Sequence, residues 1–152
     1  MRLPLQGGRQ CGRLRYEIRA EPLSVYVCHC TECQRQSGSA FAMSAVVSRA
    51  ALAYVSGHPR QWSRRTDRGT SMDGDFCADC GCRIAHYPSA NETVAVVKPG
   101  TLDDTTWLVP VGHIWTRSAQ PWVPIPADGV NYEGHPDVAR LIEAWRHRHP
   151  PR

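Results

Sequence analysis

Three cysteines within six residues, Cys28-His29-Cys30-Thr31-Glu32-Cys33, constrain this chain more than any other stretch. In an extended segment residues two apart face the same side, so Cys28 and Cys30 present both sulfurs together. Thr31 and Glu32 supply enough chain to turn back and bring Cys33 under the same point. The product is a three-sulfur cup, which suits a soft divalent metal. Zinc is the default, because it takes sulfur at about 2.3 Å and imposes no geometry of its own. Three protein ligands leave one tetrahedral position open, which separates a zinc that does chemistry from one that only staples.

Other readings of the same residues are weaker. A disulfide between Cys28 and Cys30 is badly strained, and one from either to Cys33 leaves an odd thiol. An iron-sulfur cluster needs a fourth ligand and a different spacing. The serious alternative is a structural zinc closed by a fourth ligand from elsewhere in the chain. Compartment bears on this choice. Met1 to Gly8 holds no apolar segment of the secretory kind, and no run in the sequence is long enough to span a bilayer, so the expected location is cytoplasmic. In a reducing cytosol seven cysteines signal metal rather than cross-links.

The formal charge of +4 overstates the basic character. Metal binding deprotonates cysteines, and with one zinc on three thiolates and another on four the sum falls to about +1. That removes most of the argument for nucleic acid. Arg64-Arg65 with Arg68, and Arg146 with Arg148, read as solvated faces, because no aromatic-rich recognition motif surrounds them.

Along the chain, strands dominate. Gly7-Gly8-Arg9-Gln10-Cys11-Gly12 reads as a glycine-rich turn carrying a lone cysteine, and Leu14–Arg19 as an alternating strand. Leu23–Cys28 is a strand that delivers the cup at its end. The polar stretch Gln34–Ser39 is predicted to be a loop lining the open side of the metal. Further strands are expected at Ala40–Val47, Ala51–Ser56, Arg60–Arg65, Arg83–Tyr87, Glu92–Lys98 and Val109–Trp115. Thr116 to Gly134 has no period and wraps in extended form. Pro136 to His147 is the convincing helix, with Val138, Leu141, Ile142 and Trp145 forming its apolar stripe.

A second cluster, Cys77-Ala78-Asp79-Cys80-Gly81-Cys82, opens with a Cys-x-x-Cys knuckle. A knuckle supplies half a tetrahedron, so Cys77 and Cys80 need two more ligands, and Cys11 is the unassigned cysteine upstream. A redox dithiol is disfavoured, since a strand pattern rather than a helix follows the motif.

Taken in order, Gly7 to Gly12 with its cysteine, Cys-His-Cys-x-x-Cys followed by Ser37-Gly38-Ser39-Ala40-Phe41, Phe76-Cys77-x-x-Cys80-Gly81, and Gly100-Thr101-Leu102-Asp103-Asp104 resemble the glutathione-dependent formaldehyde-activating enzyme family, a group that includes centromere protein V. The likeness runs from about Gly7 to about Trp122. It implies a mainly β, compact antiparallel fold of the Mss4-like type, zinc-stapled, with the C-terminal helix outside the family pattern. On that basis residues 1–125 form the zinc-binding β domain, and residues 126–152 an extension of the same structural domain.

The resemblance also implies two zincs. Cys28, Cys30 and Cys33 match the ligands of a catalytic zinc; Cys11, Cys77 and Cys80 match those of a structural one. Where the family pattern has a further cysteine this chain has Arg9, which cannot serve as a ligand. Cys82, two residues beyond Cys80, is expected to supply the missing thiolate, the alternative being a merely buried thiol. The activity implied is a carbon-sulfur lyase or synthase chemistry that joins glutathione to formaldehyde or a related small aldehyde. Arg35, Ser37 and Gly38 are expected to hold the thiol substrate, with Phe41, His113 and Trp115 as pocket walls. His29 and Glu32 are candidates to shuttle a proton. The alternative is a zinc-stapled, non-catalytic module that binds glutathione, a protein or nucleic acid. Oligomeric state is not legible from these residues.

Overall fold

A computed structural model describes residues 1–66 and 69–150, so Arg68 of the first arginine cluster lies outside the described residues. The chain forms two compact units, one from Met1–Pro22 and Val46–Trp107, the other from Leu23–Ala45 and Leu108–Arg152. Strands are numbered in chain order.

The first unit holds a three-stranded antiparallel sheet of β1 (Leu5–Gly8), β2 (Arg15–Ile18) and β5 (Leu52–Ser56), with β2 in the middle. It also holds an antiparallel meander of β6 (Arg60–Arg65), β7 (Ser71–Phe76), β8 (Arg83–Pro88) and β9 (Val94–Val97). The period-two pattern of β2 explains its seat: Tyr16 and Ile18 are buried, whereas Arg15 and Glu17 face outward. They pack with Leu5, Leu14, Ile84 and Val97 in one core.

Gly7 and Gly8 depart from the predicted turn. They end β1, paired with Tyr16 and Arg15. A Cβ on Gly7 would collide with the ring of Tyr16, so glycine is what lets this strand cross the buried phenol. The Tyr16 hydroxyl is in turn held 2.7 Å from Thr101 Oγ1. In the meander, the buried carboxylate of Asp75 accepts hydrogen bonds from the hydroxyls of Tyr54 at 2.6 Å and Tyr87, and from Gln61 Nε2 at 3.2 Å. Burial, and then this carboxylate, push both phenols well above the ordinary tyrosine range.

The second unit is built on β3 (Ser24–Cys28), flanked by β4 (Ala42–Ser48) and β10 (His113–Ile114). β10 runs parallel to β3, with His113 opposite Val27 and Ile114 opposite Cys28. Only these two residues of the predicted Val109–Trp115 strand are ladder-paired; a Cβ on Gly112 would meet the carbonyl of Val130, so the chain narrows there to backbone contact. Helix α2 (Val138–Arg148) packs on β3 through Leu141 and Trp145, and Ser24 Oγ donates to the Leu141 carbonyl at 3.1 Å. It starts two residues later than predicted because Asp137 is its cap, its carboxylate accepting from the N–H of Ala139 at 3.0 Å and of Arg140. Arg146, His147 and Arg148 fill the last turn, where the helix dipole favours cations.

A second, shorter helix, α1 (Thr31–Ser37), occupies much of the stretch predicted to be a polar loop. The fold is mainly β with a C-terminal helix, as the sequence indicates. Among the described residues no helix is long and apolar enough to cross a membrane.

Candidate metal centre

β3 ends at Cys28 and α1 begins at Thr31, so the cup sits at a strand-to-helix junction. Cys30 is the N-cap: its backbone is extended, and its sulfur accepts the N–H of Cys33 at 3.4 Å. The cap turns the chain at once from strand to helix, which brings Cys33 back toward Cys28. The three sulfurs lie within 4.8 Å of one another. Cys28 is buried, while Cys30 and Cys33 are half-buried and give the group an accessible side.

The crowded thiols shift one another's acidity in opposite directions. The thiols of Cys28 and Cys33 donate toward Cys30 and hold its pKa far below the ordinary thiol range, with help from the backbone N–H groups of Cys33 and Glu32. Cys28, committed as a donor to Cys30 and Cys33 and buried, is pushed far up. Adjacent thiolates repel one another, and a divalent cation would let all three ionise. The donor set is soft, three-fold and convergent, and it fits zinc.

The frame around the cup is rigid. Gln34, the residue after Cys33, donates through Nε2 to the carbonyls of His29 at 2.7 Å and Ser118 at 2.8 Å. Ser37 Oγ lies 2.9 Å from the carbonyls of both Cys33 and Phe41. Gly38 closes α1 in the left-handed region, at φ 61°.

His29 stands between two cup cysteines yet is 0% exposed. Its Nε2 is 2.8 Å from Nδ1 of His113, the rings stack at 5.1 Å, and Phe41 meets His29 edge-on at 5.7 Å. Burial pushes both imidazoles down, which favours a neutral pair in which one ring donates to the other. Glu32 is paired with Arg35 at 2.8 Å on the face of α1.

The predicted substrate residues separate into two groups. Arg35 and Gly38 line a cavity of about 470 Å³ together with Gln34, Ser39, Gln120 and Trp122. Ser37 is spent on the turn after α1, Phe41 and His113 pack around His29, and Trp115 takes a left-handed backbone with Arg117 over its ring at 4.8 Å. Gln34 and Ser39 belong to the polar stretch expected to line the open side of the metal, whereas Gln120 and Trp122 were not expected from sequence. Trp122, 72% exposed in an aperiodic stretch, carries the one signal that was available: a large aromatic with no core to join.

The second cluster brings together Cys11, Cys77 and Cys80, again with sulfurs within 4.8 Å of one another. The N–H groups of Asp79 and Cys80 point at Cys77 Sγ, at 3.1 and 3.2 Å. Burial raises the Cys77 thiol, and those N–H bonds bring it back below the usual range, to about 7. Cys82, expected to supply a fourth thiolate, is not in this group of sulfurs. Gly81 has φ 71°, and that break in the extended backbone means Cys80 and Cys82 no longer share a face. The Cys82 thiol donates instead to the Arg83 carbonyl at 3.8 Å and packs on the core of its unit. Arg9 is the residue that reaches the cluster: Nη1 contacts Cys77 Sγ, and Nη2 is 3.5 Å from Asp79.

Comparison with known proteins agrees with this geometry. The family model described as glutathione-dependent formaldehyde-activating enzyme matches residues 4–118, a span that contains both cysteine clusters. Among solved structures, a crystal structure of a Rhodobacter sphaeroides protein aligns with a TM-score of 0.55 at 23% identity, covering 70% of this chain and 98% of that one, a likeness of fold. No curated protein matches the chain in sequence.

Proposed function

The chain belongs to the glutathione-dependent formaldehyde-activating enzyme family, and on that premise we propose that it joins glutathione to formaldehyde, or to a related small aldehyde, at the Cys28–Cys30–Cys33 cup. The observation that carries this reading is the convergence of three sulfurs at a strand-to-helix junction, two of them accessible. Cys28, Cys30 and Cys33 would hold the zinc, which when bound would supply Lewis-acid chemistry that lowers the pKa of an incoming thiol.

The chain's own residues orient the partners. Cys30, as N-cap, fixes the start of α1 and with it the cavity wall formed by Gln34, Arg35 and Gly38. Arg35, largely exposed at the cavity, offers guanidinium donors to a carboxylate of the tripeptide, and Trp122 offers an apolar face. The stacked His29–His113 pair with Phe41 holds the cup loop from its buried side and excludes water there. In the reaction the thiol sulfur bonds to the aldehyde carbon, the electrons of the C=O π bond move to oxygen, and the proton shed by the thiol ends on that oxygen. The product is a carbon-sulfur adduct with no redox change. A reducing compartment such as the cytoplasm suits a protein with seven free cysteines.

Thiols and formaldehyde combine without help, so the test is a rate above background. Adduct formation followed by exchange NMR is expected to scale with protein and to saturate in glutathione. Arg35→Met is expected to raise the KM for glutathione about 5–10-fold with kcat unchanged, the loss of one screened charge-assisted contact. A rate no higher than the spontaneous one overturns the enzyme reading in favour of a non-catalytic binding module.

A further inference from the structure

The second cysteine cluster differs from the cup in one respect: a cation is already built into it. Closed zinc staples take four protein ligands, and Cys11, Cys77 and Cys80 provide three. The residue in contact with the cluster is Arg9, and a guanidinium carries five donors and no acceptor, so it cannot coordinate a metal. Its side chain is 6% exposed, which rules out a surface group that swings aside at little cost. A buried guanidinium needs anionic or sulfur acceptors. Here these are Cys77 Sγ and Asp79, and Asp79 is shared with Arg13 at 3.5 Å.

The local backbone, moreover, is closed by hydrogen bonds of its own. Cys77 N–H donates to the Cys82 carbonyl and Gly81 N–H to the Cys77 carbonyl, both at 2.9 Å, while the N–H groups of Asp79 and Cys80 are satisfied by Cys77 Sγ. These hydrogen bonds fix the backbone of the knuckle locally.

We infer that Arg9 stands in place of a fourth ligand at this cluster, a buried guanidinium set against sulfur, and that the cluster therefore holds zinc far more weakly than a closed four-sulfur site. A dication on these three sulfurs would face the positive charge of Arg9, and among the described residues no fourth His, Cys, Asp or Glu ligand atom joins the group. The inference stands on the first unit alone and is independent of the chemistry assigned to the cup.

Zinc titration against a chromophoric chelator tests it, in a chain whose cup is disabled by Cys28→Ser and Cys30→Ser. In that background Arg9→Cys is expected to tighten zinc binding at least about 100-fold, the upper end of what even an outer-shell partner is worth at a metal site. Binding by the Arg9 chain within threefold of the Arg9→Cys chain overturns the inference. A second measurement covers a variant that fails to fold. With the cup intact, zinc retained after dialysis against EDTA is expected to be the same for the native chain and for Cys80→Ser. A loss of one zinc per chain in Cys80→Ser overturns it.

Discussion

Cys30→Ser is expected to lower the kcat/KM of adduct formation by about 1,000-fold or more, on the scale of several kcal/mol that a metal centre contributes to a transition state, and to remove the zinc held by the cup. Serine makes this substitution informative. Cys30 has two tasks, as a sulfur of the cup and as the cap that accepts the Cys33 N–H. Serine is itself a strong N-cap, so α1 keeps its start and the soft donor alone is lost. Thermal melting should then stay close to that of the native chain, while metal analysis and the adduct rate both fall. Undiminished turnover in Cys30→Ser would remove the cup from the reaction.

Trp145→Ala is expected to have the opposite profile. Trp145 is 2% exposed, on the buried face of α2 beside Leu141, and its ring stacks on His149 at 3.8 Å. Truncating a buried tryptophan costs about 3–5 kcal/mol, which for a chain of this size is about 6–20 °C in melting temperature. Trp145 is not among the cup or cavity residues, so well below the new melting point the adduct rate should remain within about twofold of native. A melting curve unchanged by the substitution would mean that α2 is not seated on β3 through this residue.

What the sequence makes legible here is what short-range chemistry controls. Cys28, Cys30 and Cys33 converge as their spacing indicates, since the ligands are consecutive enough for one strand end and one turn to place them. β2 and α2 follow their apolar periods. Helix α1 does not, because Thr31–Ser37 has no buried residue and hence no stripe to reveal it; it is specified by its ends, Cys30 and Gly38, and by the contacts of Gln34 and Ser37. The His29–His113 pair joins residues 84 apart through the parallel register of β10 on β3, which no local pattern encodes. Cys82 lies off the group of sulfurs for a related reason: the two-residue rule for a shared face assumes an extended backbone, and Gly81 breaks it.

Gly7 shows the same limit from the other direction. A Gly-Gly pair ordinarily signals a turn, and here it marks a strand that must pass over Tyr16, a fact visible only once the ring is in place. Arg9, whose lack of ligand atoms is plain from its chemistry, acquires a role only when its guanidinium is seen against Cys77.

Titration of glutathione into the cobalt-substituted protein, followed at the thiolate-to-cobalt charge-transfer band, addresses the cup itself. An open three-sulfur site predicts a saturable shift of that band as a fourth thiolate enters, and no such shift in Cys30→Ser. A band that stays unchanged at saturating glutathione would contradict it, and would make Cys28, Cys30 and Cys33 part of a closed staple.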